Sequence, residues 1–150
     1  MSALTASRVE PRFEVWGERK VELDASAKAF AGGIVCLDTN SGYYTRGAIS
    51  TTLINVGIAQ EDADNTGGAA GAVTVNVKFH RPIQGRWFLN GTAGDAVAKA
   101  NRGADCYLLD DQTVSVSSNG STRSKAGRIW EVATIDGQSC VFVEPFSGSL

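Results

Sequence analysis

The sequence predicts an all-β fold, a short-stranded β-barrel or β-tulip-like sandwich with an extended N-terminal arm. Three observations carry that expectation. Helical periodicity is nearly absent from the 150 residues. Apolar residues come in short runs or alternate with polar ones, as in AVTVNVKF, where Val73, Val75, Val77 and Phe79 share one face and Thr74, Asn76 and Lys78 the other. Turn residues bound these runs at short intervals.

In chain order, residues 1–19 read as an N-terminal arm, whose residues 1 to about 12 are polar, punctuated by Pro11 and expected to be unstructured in isolation. Residues 13–16 and 20–23 read as a first strand pair. Residues 34–37 and 43–45 flank DTNSG, a hairpin turn. Residues 55–59 and 73–79 are the next strands, joined by a long tip rich in glycine and acids. Strands over 87–89, 104–109 and 114–116 follow. Residues 128–134 and 139–143 close the β domain (20–150) across IDGQ, whose Asp136-Gly137 pair suits a two-residue turn. The one short helix is expected over residues 95–101, ending before Gly103.

The two halves, 28–80 and 95–146, read as a faint repeat. Each carries an apolar pair followed by aspartate, a strand containing Val-Gly or Ala-Gly, a turn, and a valine-rich return strand. Gly57 then corresponds to Gly127, and Asp38 to Asp110.

A chain of this size buries roughly 70% of its unfolded surface, enough for stability without metal or disulfides. Hydrophobic residues make up 43% and charged residues 20%, and the net charge is −2 with no block of one sign. That pattern gives no footprint for nucleic acid or an anionic membrane. No run approaches the ~18 apolar residues of a membrane span, and the N-terminal stretch lacks the apolar centre of a secretory signal. Synthesis and assembly in a cytosol follow.

The chemistry-bearing candidates weigh against catalysis and against any cofactor. Cys36, Cys106 and Cys140 are widely spaced among apolar neighbours and read as small buried hydrophobes. The only histidine, His80, stands beside Arg81 and Pro82. Asp62, Asp64 and Gly67 match the start of a calcium loop, but its twelfth position, a bidentate glutamate in such loops, is Val73, and strands flank it. Gly67, Gly68 and Gly71 precede a strand where a phosphate cradle needs a helix. The reading is an exposed hairpin tip whose Asp62, Asp64 and Asn65 are candidate partner contacts. Asp110 and Asp111 are adjacent and point apart on a strand. Glu131 and Glu144 read as solvated strand charges, and Ser115, Ser117 and Ser118 as a polar loop. Asn90-Gly91 and Asn119-Gly120 read as turns. Trp16, Trp87 and Trp130 read as anchors of the core or of a subunit contact.

Several blocks resemble the small head decoration, or cement, proteins of tailed phages and Mu-like prophages. These are KAFAGGIVCLD, INVGIAQEDADNTGGAAGAVTVNV, GTAGDAVAKANRGADCYLLDDQTVSVSSNGSTRSKAGRIWEV and SCVFVEPF, spanning about residues 20–146. The chain departs from the family pattern at Gly33 and in the more basic and aromatic FHRPIQGRWFL. The resemblance implies a non-enzymatic virion protein on the outer capsid surface, assembled in the host cytoplasm. It implies homo-oligomers, with trimers favoured, stapling neighbouring major capsid subunits. In that setting Val9, Phe13, Val15 and Trp16 are candidate anchors for adding the arm as a strand to the major capsid protein. The alternative from another class is a receptor- or carbohydrate-binding β-module of a tail or fibre, with Trp87 or Trp130 as the sugar platform.

Overall fold

The structure, a computed structural model, describes residues 17–80 and 84–145. Alternation of the kind seen in AVTVNVKF buries one side of each strand, and two five-stranded sets do so around two centres. The first set is β1 (Glu18–Glu22), β3 (Ile34–Asp38), β4 (Tyr44–Arg46), β5 (Leu53–Ala59) and β7 (Thr74–Phe79), in the order β1-β7-β5-β3-β4. The second is β8 (Arg86–Asn90), β9 (Asp105–Leu108), β10 (Thr113–Ser115), β11 (Lys125–Ile135) and β12 (Gln138–Pro145), in the order β8-β12-β11-β9-β10. A short ribbon of β2 (Lys28–Ala29) and β6 (Ala63–Asp64) lies beside the first set.

Strand for strand, the two orders are the same. All neighbours are antiparallel. The second set closes into a barrel where β10 pairs parallel with β8. In the first, the corresponding edges meet at one parallel bridge, Leu23 to Tyr44. The second set starts at β8, ahead of residue 95, and the first starts at β1, ahead of residue 28.

Register makes the correspondence residue-specific. Ile34, Val35 and Cys36 face Ile58, Gly57 and Asn55, while Asp105, Cys106 and Tyr107 face Arg128, Gly127 and Lys125. Both glycines are required by close approach. A Cβ on Gly57 would strike Lys78 O and lie 2.7 Å from Val77 Cγ1; one on Gly127 would strike Glu144 O and lie 2.7 Å from Val143 Cγ1. The same register sets Asp38 level with Leu109, one residue before Asp110. The two aspartates nevertheless do similar work, each accepting from an N–H two residues on, Asn40 at 2.9 Å and Gln112 at 2.8 Å.

Each set has its own apolar interior. Val21, Leu23, Val35, Val56, Val75, Val77 and Phe79 fill the first, and Phe88, Cys106, Leu108, Val114, Ile129, Val141 and Val143 the second. Ile34, Cys36, Leu53 and Ile58 belong to the second cluster, so the outer face of β3 and β5 packs on the closed barrel. Their counterparts include Asp105, Tyr107 and Arg128, and Lys125, in the place of Asn55, sets its Nζ 3.2 Å from Asp105. Polar bonds stitch the seam: Leu53 N–H to Ser124 Oγ (3.1 Å), Ser124 Oγ–H to Ser50 O (2.7 Å), Ile34 N–H to Asp111 O (2.6 Å), and Arg46 to Asp111 (2.8 Å).

Three expectations need correction or relocation. No α-helix forms over residues 95–101; two 3-10 turns, Ala93–Asp95 and Lys99–Asn101, flank an extended stretch. Asn90 is the reason. Its side chain accepts from Val97 N–H at 2.8 Å and donates to Val97 O at 2.9 Å, taking both groups a helix would use. The long connection between β5 and β7 is no free tip, because β6 pairs it to β2. Finally, β1 pairs with β7; residues 13–16, expected as its partner, lie outside the described residues.

Candidate functional site

The sequence candidates separate into internal fasteners and surface groups. Asn65 is 3% exposed, and its Nδ2 donates to Asp24 O and Ala69 O, both at 2.9 Å. It ties the loop down and is not available to a partner. Asp62 accepts from Ala31 N–H at 2.8 Å. Asp64 accepts from the Thr66 N–H and hydroxyl, and these bonds hold its carboxyl below the usual range. Both carboxylates stay at the surface, beside a shallow cleft of about 280 Å3 that Lys28 and half-exposed Phe30 also line. Val9, Phe13, Val15 and Trp16 lie outside the described residues.

His80 is buried and held on both ring nitrogens. Nε2 meets Asn55 Oδ1 at 2.8 Å, and Arg86 Nε–H donates to Nδ1 at 3.2 Å. The proton therefore sits on Nε2 and the ring is neutral. Burial, reinforced by the Arg86 charge, pushes its pKa down to about 3. Asn55 passes the chain on by donating to Ala126 O at 3.0 Å, so the network spans both strand sets. The three cysteines are buried free thiols. Burial raises Cys36 and pushes Cys106 up to about 12.

Arg123 organises the serine loop. Its Nη1 donates to Asp95 Oδ1 (2.6 Å), Ser117 O (2.9 Å) and Ser115 Oγ (3.1 Å), while the Ser115 hydroxyl donates to Asp95 at 2.8 Å. Hydrogen bonds from Arg123 first and Ser115 second hold the Asp95 carboxyl low. Asp110 accepts from two turn N–H groups, and Asp111 pairs with Arg46. Among the described residues no group of three or more His, Cys, Asp or Glu is arranged to hold a metal ion, and no helix is long and apolar enough to cross a membrane.

One exposed surface stands apart, the outer face of β8, β12 and β11. Trp87 lies opposite Phe142, which lies opposite Glu131. Between the Ile129–Val143 and Glu131–Phe142 pairs the register shifts, and Trp130 is the extra residue. Such a bulge re-aims its side chain. The Trp87 and Phe142 ring centroids are 5.0 Å apart in a tilted contact, and Trp130 Nε1–H donates to Glu144 Oε1 at 3.3 Å. Trp87 is 43% exposed and Trp130 45%. Neither is a core anchor. A Cβ on Gly85 would collide with the Phe142 ring, so the chain entering β8 hugs this face closely.

The corresponding positions of the first set provide an internal control. Lys20 takes the place of Trp87, Asn76 of Phe142 and Glu22 of Leu89. Lys20 and Glu22 are exposed. The aromatic character is therefore a property of this face and not of the strand arrangement. Sequence reading named Trp87 and Trp130 as contact candidates but missed Phe142 and the grouping, because the three residues are dispersed and only the register lines them up. Comparison with family models, with curated proteins and with solved structures finds no match.

Proposed function

We propose that this chain is a decoration protein of a phage head, binding the outer capsid surface and reinforcing contacts between major capsid subunits. One observation supports the reading most: the chemistry-bearing side chains are largely spent on internal bonds, whereas the exposed specialisation is an aromatic patch on the outer face of β8, β12 and β11, suited to contact. His80 is neutral and bonded on both nitrogens, and the cysteines are buried. The resemblance in the blocks around DNTGG, CYLLDDQTV and TRSKAG points the same way. In this reading the protein is non-enzymatic, acts as a homo-oligomer with trimers favoured, and assembles in the host cytoplasm. The arm carrying Val9, Phe13, Val15 and Trp16 adds to the capsid subunit as a strand, and Asp62 and Asp64 offer acidic contacts.

A carbohydrate-binding module is the second reading, favoured by the half-exposed indoles of Trp87 and Trp130. The deciding experiment is the copy number of this chain in purified particles. A fixed ratio near one per major capsid subunit is expected. A few copies per particle would place it at a tail or vertex, and absence from particles would overturn the proposal.

A further inference from the structure

We infer that the Trp87–Phe142–Trp130 face is a self-association surface, on which a second copy of this chain docks sheet against sheet about a two-fold axis. The inference goes beyond the decoration reading and does not depend on it.

Two features of the face lead to this partner. The first is the internal control: a face built on the same strands in the first set carries Lys20, Asn76 and Glu22, so nothing in the fold requires aromatic residues there. The apolar outer face of β3 and β5, by contrast, is covered by the neighbouring barrel. Large uncovered apolar patches on soluble proteins mark contact sites.

The second feature is the rim. Arg128 faces Glu144 across the ladder, and Arg102 lies 3.5 Å from Glu131. Lys99 stands close enough to help hold the Glu131 carboxyl low, after the Val132 N–H and Arg102. Cations and carboxylates are thus interleaved around an aromatic centre. A two-fold contact sets a surface against itself, so it needs both signs on one face. A rim of one sign would instead call for an oppositely charged partner. Stacked sheets sit roughly 10 Å apart, a spacing that interdigitated aromatic side chains fill.

The test is sedimentation equilibrium of the full chain over a wide concentration range, for the wild type, Trp87→Lys and Trp130→Ala. Trp87→Lys writes the first set's residue onto the second. Both positions are half-exposed, so the variants should keep the wild-type circular dichroism. Lys20→Ala is the control on the corresponding polar face. The weight-average mass of the wild type and the control should rise with concentration. Each tryptophan variant should need at least tenfold more protein to reach the same mass. A wild-type mass that stays at that of the monomer at every concentration would overturn the inference. So would superimposable curves for the wild type and a folded Trp87→Lys, whatever oligomer they show. A monomer mass at every concentration together with a tryptophan emission shift on adding glycan would reassign the face to a sugar. Capsid copy number is read separately, so either proposal can fail alone.

Discussion

The two five-stranded sets share strand order, register and glycine placement, yet differ in how completely they close and in what their outer faces carry. The second barrel is sealed by the pairs Thr113–Leu89 and Val114–Asn90, supported by Leu89 N–H to Gln112 O at 2.8 Å and Gly91 N–H to Val114 O at 2.9 Å. The first is held at the matching edge by the Leu23–Tyr44 bridge, with Asp24 N–H donating to Tyr44 O at 2.7 Å. Inward positions match in kind, with Val35 for Cys106, Val75 for Val141 and Val77 for Val143. Outward positions diverge freely. Packing constrains what points inward, and each outer face is left to follow whatever it meets.

The sharpest way to probe this difference is at Leu37 and Leu108, which hold corresponding positions on β3 and β9. Leu108 is fully buried and Leu37 only partly. Leu108→Ala should cost about 2–5 kcal/mol in urea unfolding, and Leu37→Ala distinctly less. Equal losses would mean the first set is closed as tightly as the second.

His80 tests the seam between the sets. Its folded pKa, about 3, lies below the ordinary value of 6.5, so the unfolded chain binds the extra proton first. Its contribution is fully present above about pH 6.5 and is lost as pH falls towards 3. Below pH 6 the slope approaches about 1.4 kcal/mol per pH unit. Urea midpoints between pH 7 and 5 should fall for the wild type and stay flat for His80→Gln, in a window where the carboxylates hardly titrate. A wild-type midpoint independent of pH there would show that His80 is accessible to protons.

The smallest effect is expected at Asp111, which accepts from half-exposed Arg46 at 2.8 Å. Asp111→Asn should cost about 1 kcal/mol or less and should weaken with added salt in a double-mutant cycle with Arg46.

Much of the strand layout was legible in the sequence because alternation and turn chemistry are local. Asp136 and Gly137 take positive φ values of 51° and 78°, as a two-residue hairpin turn demands, and Ile135 pairs with Gln138 around them. The connection around Asn65 was misread because what fixes it is remote: Asp24 O lies 41 residues away. The expected helix failed for a similar reason, since Asn90 claims Val97 from another element. The candidate site was least legible. Its aromatic residues come from three strands, and a bulge decides where Trp130 stands, which no local pattern specifies.

The charged counterpart of the buried seam has a further consequence. Ile34, Cys36 and Ile58 let the first set seat itself on the second, but the same places on the second hold Asp105, Tyr107 and Arg128. A third strand set arriving in the same pose would have to strip water from those ionic groups, at a cost of several kcal/mol per unpaired ion. The stacking is thereby counted at two. Within this chain the apolar seam therefore joins two sets and presents ionic groups, not a second apolar seat, at the matching place.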